Sequence, residues 1–134
     1  MTTFRIASDL HLEYLPAIME WKHHVTRILP VIPGERDMVL ILAGDIIIPA
    51  NIKDQYRLSD FLFSIRSRFR HVVYVPGNHE YYGSTVDATN ARLAHVCQKR
   101  GIHFLNNSMA EFDGVRVVGT TLWTNLDNPL DAMV

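Results

Sequence analysis

Three short apolar runs, each cut off by a polar turn at nearly equal intervals, govern what this 134-residue chain can become. Phe4 to Ser8 ends in Asp9, Met38 to Ala43 ends in Gly44-Asp45, and His71 to Val75 ends in Pro76-Gly77-Asn78-His79. Asp9 and Asp45 are 36 positions apart, and Asp45 and Asn78 are 33 apart. Runs of this length bounded by turn residues read as buried strands, although periodicity alone leaves short helices open. The intervals match strand–helix–strand units of about 30 residues or more. Parallel strands with right-handed crossovers follow as the expectation.

The intervening segments carry helical stripes. Leu58, Phe61, Leu62, Ile65 and Phe69 fall on one face, and Arg66, Arg68 and Arg70 off it read as a solvated face. Val86, Leu93 and Cys97 share a second stripe, with Ser84 or Thr85 as N-cap and Gly101 as the stop. Trp21, Val25, Ile28 and Leu29 form a weaker third, closed by Pro30 and Pro33. The pattern then changes. Ile102 to Leu105 reads as a short strand. Met109 to Phe112 and Val115 to Val118 flank Asp113-Gly114, a strong hairpin signal.

The polar motifs all follow predicted parallel strands, at the sheet edge where open α/β folds place ligands. Neighbouring strands lie about 4.8 Å apart. Asp9, His11, Asp45, Asn78 and His79 therefore meet in one small volume if the three strands are close neighbours. In a regular strand, Asp9 and His11 would face one side. Carboxylate, imidazole and amide oxygen suit Mn, Fe, Zn or Ni, and the lack of thiolates argues against an iron–sulfur or structural zinc site. A carboxylate such as Asp45 has two oxygens and can bridge two cations about 3.5–4 Å apart. Gly44 and Gly77 let the backbone turn sharply beside such a centre.

Ser8-Asp9-Leu10-His11, Ala43-Gly44-Asp45 and Pro76-Gly77-Asn78-His79-Glu80 stand in the order and spacing of the calcineurin-like metallophosphoesterase superfamily, which the chain resembles. The resemblance implies an α/β fold: the N-terminal portion of a four-layer αββα sandwich, with a mainly parallel first sheet, a βαβαβ start and a later hairpin. It implies two divalent metal ions and hydrolysis of phosphomonoesters or phosphodiesters. Asp9 and His11 would bind the first metal, Asp45 would bridge both, and Asn78 would bind the second. His79 would contact the scissile phosphate and assist the leaving group. Glu80 would orient His79.

The sequence also departs from the family pattern. Later metal-binding histidines, including a Gly-His-x-His motif, belong to the family, and no histidine follows His103. Residues 1–134 are thus expected to form a single, truncated domain. It would hold one metal weakly, leave an apolar sheet face that favours self-association, and show little activity alone. The competing reading is a non-catalytic fragment serving as a binding or regulatory module, or half of a split enzyme. A phospho-receiver or nucleotide-binding domain lacks support, since Asp9-Leu10-His11 supplies neither an acidic pair nor a glycine-rich phosphate loop.

The remaining residues read blandly. His23, His24, His71, His95 and His103 fit no motif and are taken as structural. Tyr81 and Tyr82 either line a substrate pocket or pack, Trp123 packs near the truncated edge, and Cys97 is a buried, inert thiol. A single cysteine favours a reducing compartment, the cytoplasm. A net charge of −1 gives no bulk electrostatic case for nucleic acid or a membrane surface, and no apolar run reaches the roughly 18 residues of a membrane span.

Overall fold

A computed structural model describes residues 1–15 and 21–123. Four parallel strands form one sheet in the order β1 (Thr3–Ala7), β2 (Met38–Ala43), β3 (His71–Val75) and β4 (His103–Phe104). The connections carry helices α1 (Trp21–Ile28), α2 (Ile52–Arg66) and α3 (Val86–Arg100). Each strand is added on the same side of the last. Right-handed crossovers repeated in one direction put every helix on the same face, and the core reflects this. Leu40 and Leu42 of β2 and Val72 and Tyr74 of β3 pack with Val25, Phe61, Leu62, Ile65, Leu93 and Cys97 of the helices.

Caps set the helix ends where the sequence placed them. The Asn51 side chain accepts from Asp54 N–H at the start of α2, and Thr85 does the same for Ala88 in α3. Gly101 closes α3 at φ 66°, a left-handed conformation that glycine adopts without strain. In α1, Val25 and Leu29 are buried, while the side chain of Trp21 lies outside the described residues.

The solvated helix face expected of Arg66, Arg68 and Arg70 is met only in part: Arg70 is exposed, but Arg66 and Arg68 are half-buried. Helix α2 ends at Arg66, so the three arginines do not share a helix surface. They serve the turn into β3 instead, where carbonyls freed by the helix end need donors. Arg66 donates to the Gly101 and Phe69 carbonyls. Arg68 pairs with the buried Glu35 at 2.7 Å and donates to the Leu29 carbonyl. Arg70 forks onto Asp113 at 2.7 and 3.1 Å.

The opposite sheet face receives the antiparallel hairpin β5 (Ser108–Phe112) and β6 (Val115–Gly119). Asp113 at φ 50° and Gly114 at φ 80° make its two-residue turn. Phe112 packs on Val39, Val73 and Leu105. The hairpin covers only part of this face. Ile6 of β1 stays 67% exposed, and Val118, on the hairpin itself, is 70% exposed, so apolar area remains open. Residues 124–134 lie outside the described set. Among the described residues no helix is long and apolar enough to cross a membrane.

Candidate metal centre

Strand β1 ends at Ala7, so Asp9 and His11 are not strand residues as the spacing argument assumed. The backbone nevertheless stays paired with the segment after β2. Asp9 N–H donates to the Gly44 carbonyl at 3.0 Å, His11 N–H to Asp45 at 3.2 Å and Leu12 N–H to Ile46 at 2.9 Å. Three non-glycine residues here take left-handed backbone conformations: Asp9 at φ 55°, His11 at φ 45° and Asp45 at φ 55°. Each such conformation costs about 1–2 kcal/mol in an L-residue, and strain of this kind concentrates at functional sites. It brings one donor atom from each of Asp9, His11 and Asp45 within 4.8 Å of one another.

The loop after β3 closes on the same point because two glycines permit it. A Cβ on Gly44 would sit 2.8 Å from Gly77 Cα, and a Cβ on Gly77 would sit 2.2 Å from Asp45 Oδ1. Asp45 Oδ1 in turn accepts from His79 N–H at 3.1 Å, which anchors the Asn78-His79 turn. Asn78 lines an open cleft of about 870 Å³ together with Asp9, Asp45, Tyr82, Ile41 and Val118. Its Nδ2 donates to Tyr82 Oη at 3.2 Å, leaving the amide oxygen as the atom a cation would take. The donor chemistry and the space around the carboxylates thus fit a hard or borderline divalent cation.

Glu80 has a wider role than the one expected. Its fully buried carboxylate accepts four hydrogen bonds, from Asp45 N, Ile46 N, Gly77 N and Tyr74 Oη, at 2.7–3.0 Å. It ties the loops after β2 and β3 together beneath the donors, whereas the His79 ring faces Glu13, with Nε2 3.6 Å from Oε1. Tyr74 is held protonated: complete burial raises its pKa well above the ordinary value, and the Glu80 charge adds to this.

The two tyrosines separate. Tyr81 is buried, donates to Asn90 at 2.8 Å and lies 5.4 Å from the Trp123 ring. Tyr82 is half exposed, and its ring lies tilted at 42° with its centroid 4.5 Å from that of the His79 ring. Burial pushes the Cys97 thiol up to about 12, as an inert thiol requires. His71 and His103 pair with Phe112 beneath the hairpin turn, at the sheet's other edge. Glu13 belonged to no motif, yet it lies 3.5 Å from His11 and 3.6 Å from His79. Its only sequence signal is a carboxylate two places beyond Asp9-Leu10-His11.

The family model for calcineurin-like phosphoesterases matches residues 2–125. An uncharacterized protein of Acanthamoeba polyphaga mimivirus is 34% identical over 133 residues, covering 94% of this chain and 46% of its own length. The chain therefore spans about half the length of that curated relative.

Proposed function

This chain belongs to the calcineurin-like phosphoesterase family, and we propose that it carries the first half of a metal-dependent centre that hydrolyses phosphate esters. The observation that carries this reading is the convergence of Asp9, His11 and Asp45 within 4.8 Å, on three strained backbone positions. Asp9 and His11 would hold one divalent ion, Asp45 would serve both it and a second, and Asn78 would serve the second. Bound divalent ions supply Lewis acidity, polarising phosphoryl oxygens and making an attacking water more acidic. His79 contacts the phosphate and aids departure of the leaving group, with the tilted Tyr82 ring beside it. Glu80 keeps Asp45 and the Gly77 turn in register.

Three donors at the first position and two at the second make the pair unequal. The family's later histidines are not in this sequence, which has none after His103. The chain by itself therefore binds one cation weakly and turns over phosphate esters poorly. Exposed apolar residues such as Ile6 on the parallel sheet and Val118 on the hairpin support association of the domain. The unpaired Cys97 fits a reducing compartment such as the cytoplasm.

Titration calorimetry with Mn²⁺ tests the centre. One weak site is expected in the natural chain and none in Asp45→Asn. Equal Mn²⁺ binding by Asp45→Asn would remove the basis of the reading. A chromogenic phosphodiester assay, with and without Mn²⁺, then tests the reaction. Two tight sites with robust turnover would overturn the half-centre.

A further inference from the structure

We propose that Glu13 is a positioning residue, a single carboxylate oxygen shared by His11 and His79 that fixes which nitrogen of each ring carries the proton. Only its consequence for the cation rests on the metal-centre reading above.

Glu13 sits in the 3-10 turn Leu12–Tyr14, which follows the left-handed His11. Its side chain is nine-tenths buried. One oxygen, Oε2, accepts from Ile48 N–H at 3.3 Å. The other, Oε1, has no hydrogen-bond partner, and neither do His11 Nδ1 and His79 Nε2, all three being buried atoms. These atoms face one another. Oε1 lies 3.5 Å from His11 Nδ1 and 3.6 Å from His79 Nε2, and the two rings meet edge to face at 4.6 Å. Leaving a buried polar atom without a partner costs about 1–3 kcal/mol, so three in one place point to a shared arrangement that a small closure completes.

His11, Glu13 and His79 could together also hold a cation; with no cation among them and Glu13 ionised, one arrangement follows. An ionised carboxylate only accepts, so each nitrogen facing Oε1 must carry the hydrogen. In neutral rings that places the proton of His11 on Nδ1 and the proton of His79 on Nε2. His11 then keeps its Nε2 lone pair for a cation, the carboxylate–histidine–metal pattern in which the outer carboxylate fixes the tautomer.

Imidazole-nitrogen NMR on the metal-free chain reads the tautomers directly. The expected result is N–H at His11 Nδ1 and at His79 Nε2. Glu13→Gln should keep the Ile48 bond, because only the amide oxygen can accept it. Its NH₂ group then faces both rings and demands lone pairs there. The His11 proton should move to Nε2, and Mn²⁺ affinity should fall about 10–100-fold. Glu13→Asp keeps a carboxylate and should retain the natural tautomers, which a merely space-filling residue would not control. Bare nitrogens facing Glu13 in the natural chain would overturn the proposal, and so would tautomers unchanged in folded Glu13→Gln. If Glu13→Gln fails to fold, the tautomers of the natural chain and of Glu13→Asp decide. If the natural chain takes up no Mn²⁺, the cation reading fails, and the metal-free tautomers still decide the role of Glu13.

Discussion

At the amino edge of the parallel sheet, Glu35 holds Arg5 at 2.9 Å and Arg68 at 2.7 Å, and Asp113 holds Arg70 and the Thr2 hydroxyl. At the carboxyl edge of the same sheet, His11, Glu13 and His79 each keep a buried atom without a partner, and three of the surrounding residues sit in left-handed backbone. The first edge uses its charges to join segments 30 to 43 residues apart in sequence, although Arg68 Nη1 is buried there without a partner and Asp113 is left-handed in the hairpin turn. The second leaves its polar atoms open to something else. Local strain and unmet hydrogen bonding lower stability, and a fold retains them where function requires it.

The largest test of this contrast is Glu80, because it underlies the strained edge while being fully satisfied itself. Glu80→Ala would leave three backbone N–H groups and the Tyr74 hydroxyl without their acceptor. A stability loss of about 3–5 kcal/mol is expected by denaturant titration, together with loss of Mn²⁺ binding. A loss below about 1 kcal/mol would mean that water replaces the carboxylate and that the loops after β2 and β3 hold themselves.

Much of the scaffold was legible because it is local. Strands β2 and β3 begin and end where the apolar runs do, and Asp113-Gly114 could make little but a tight hairpin. Thr85 and Gly101 mark α3 through their own backbone chemistry. The gathering of Asp9, His11 and Asp45 was legible from topology, but the means was not. Regular alternation along a strand was expected, and left-handed residues after the strand do the work. Long-range polar pairing left no trace in periodicity. Glu35 lies in a polar loop, 30 residues from Arg5 and 33 from Arg68, and reads locally as solvent-facing. Glu13 was invisible for the same reason: its neighbour His79 arrives from the far end of β3.

Glu35 offers the next largest effect, now at the amino edge. Glu35→Ala strands two arginines and should cost about 2–3 kcal/mol while leaving Mn²⁺ affinity unchanged. The pH dependence has a definite sign. Hydrogen bonding from Arg68 is the main cause holding this carboxyl below its ordinary value of 4.5. Its contribution is therefore present above that value and lost as pH falls through the lower, folded pKa. Glu35→Gln should flatten that part of the acid unfolding curve. A Mn²⁺ affinity that falls with Glu35→Ala would show that the two edges are energetically coupled.

Asp9→Gly should act in the opposite direction. The substitution relieves a left-handed aspartate and removes one carboxylate from the pair with Asp45. The metal-free protein should gain about 0.5–1 kcal/mol, while Mn²⁺ binding falls more than about a hundredfold. An unchanged or lower stability would imply that Asp9 contributes structurally, and the contrast between the edges would weaken.

The smallest expected effect is again at the amino edge, where His71, His103 and Phe112 meet under the hairpin turn. Burial lowers the His71 pKa first, followed by the charges of His103, Arg70 and Arg66, with Asp113 opposing them. His103 is lowered chiefly by burial and then by Arg66. A histidine whose folded pKa lies below its unfolded value binds fewer protons folded than unfolded as it titrates. Stability must then rise with pH through that window and fall on acidification below the ordinary value of 6.5. Both rings retain contact with solvent, which keeps the effect small and salt-dependent. His71→Gln removes one titration, so its stability should vary less than that of the natural chain between about pH 7 and 5. An identical slope in the two proteins would place the acid sensitivity elsewhere. The histidines of the strained carboxyl edge would then be the next to test, and the amino edge would be tied together by its ion pairs alone.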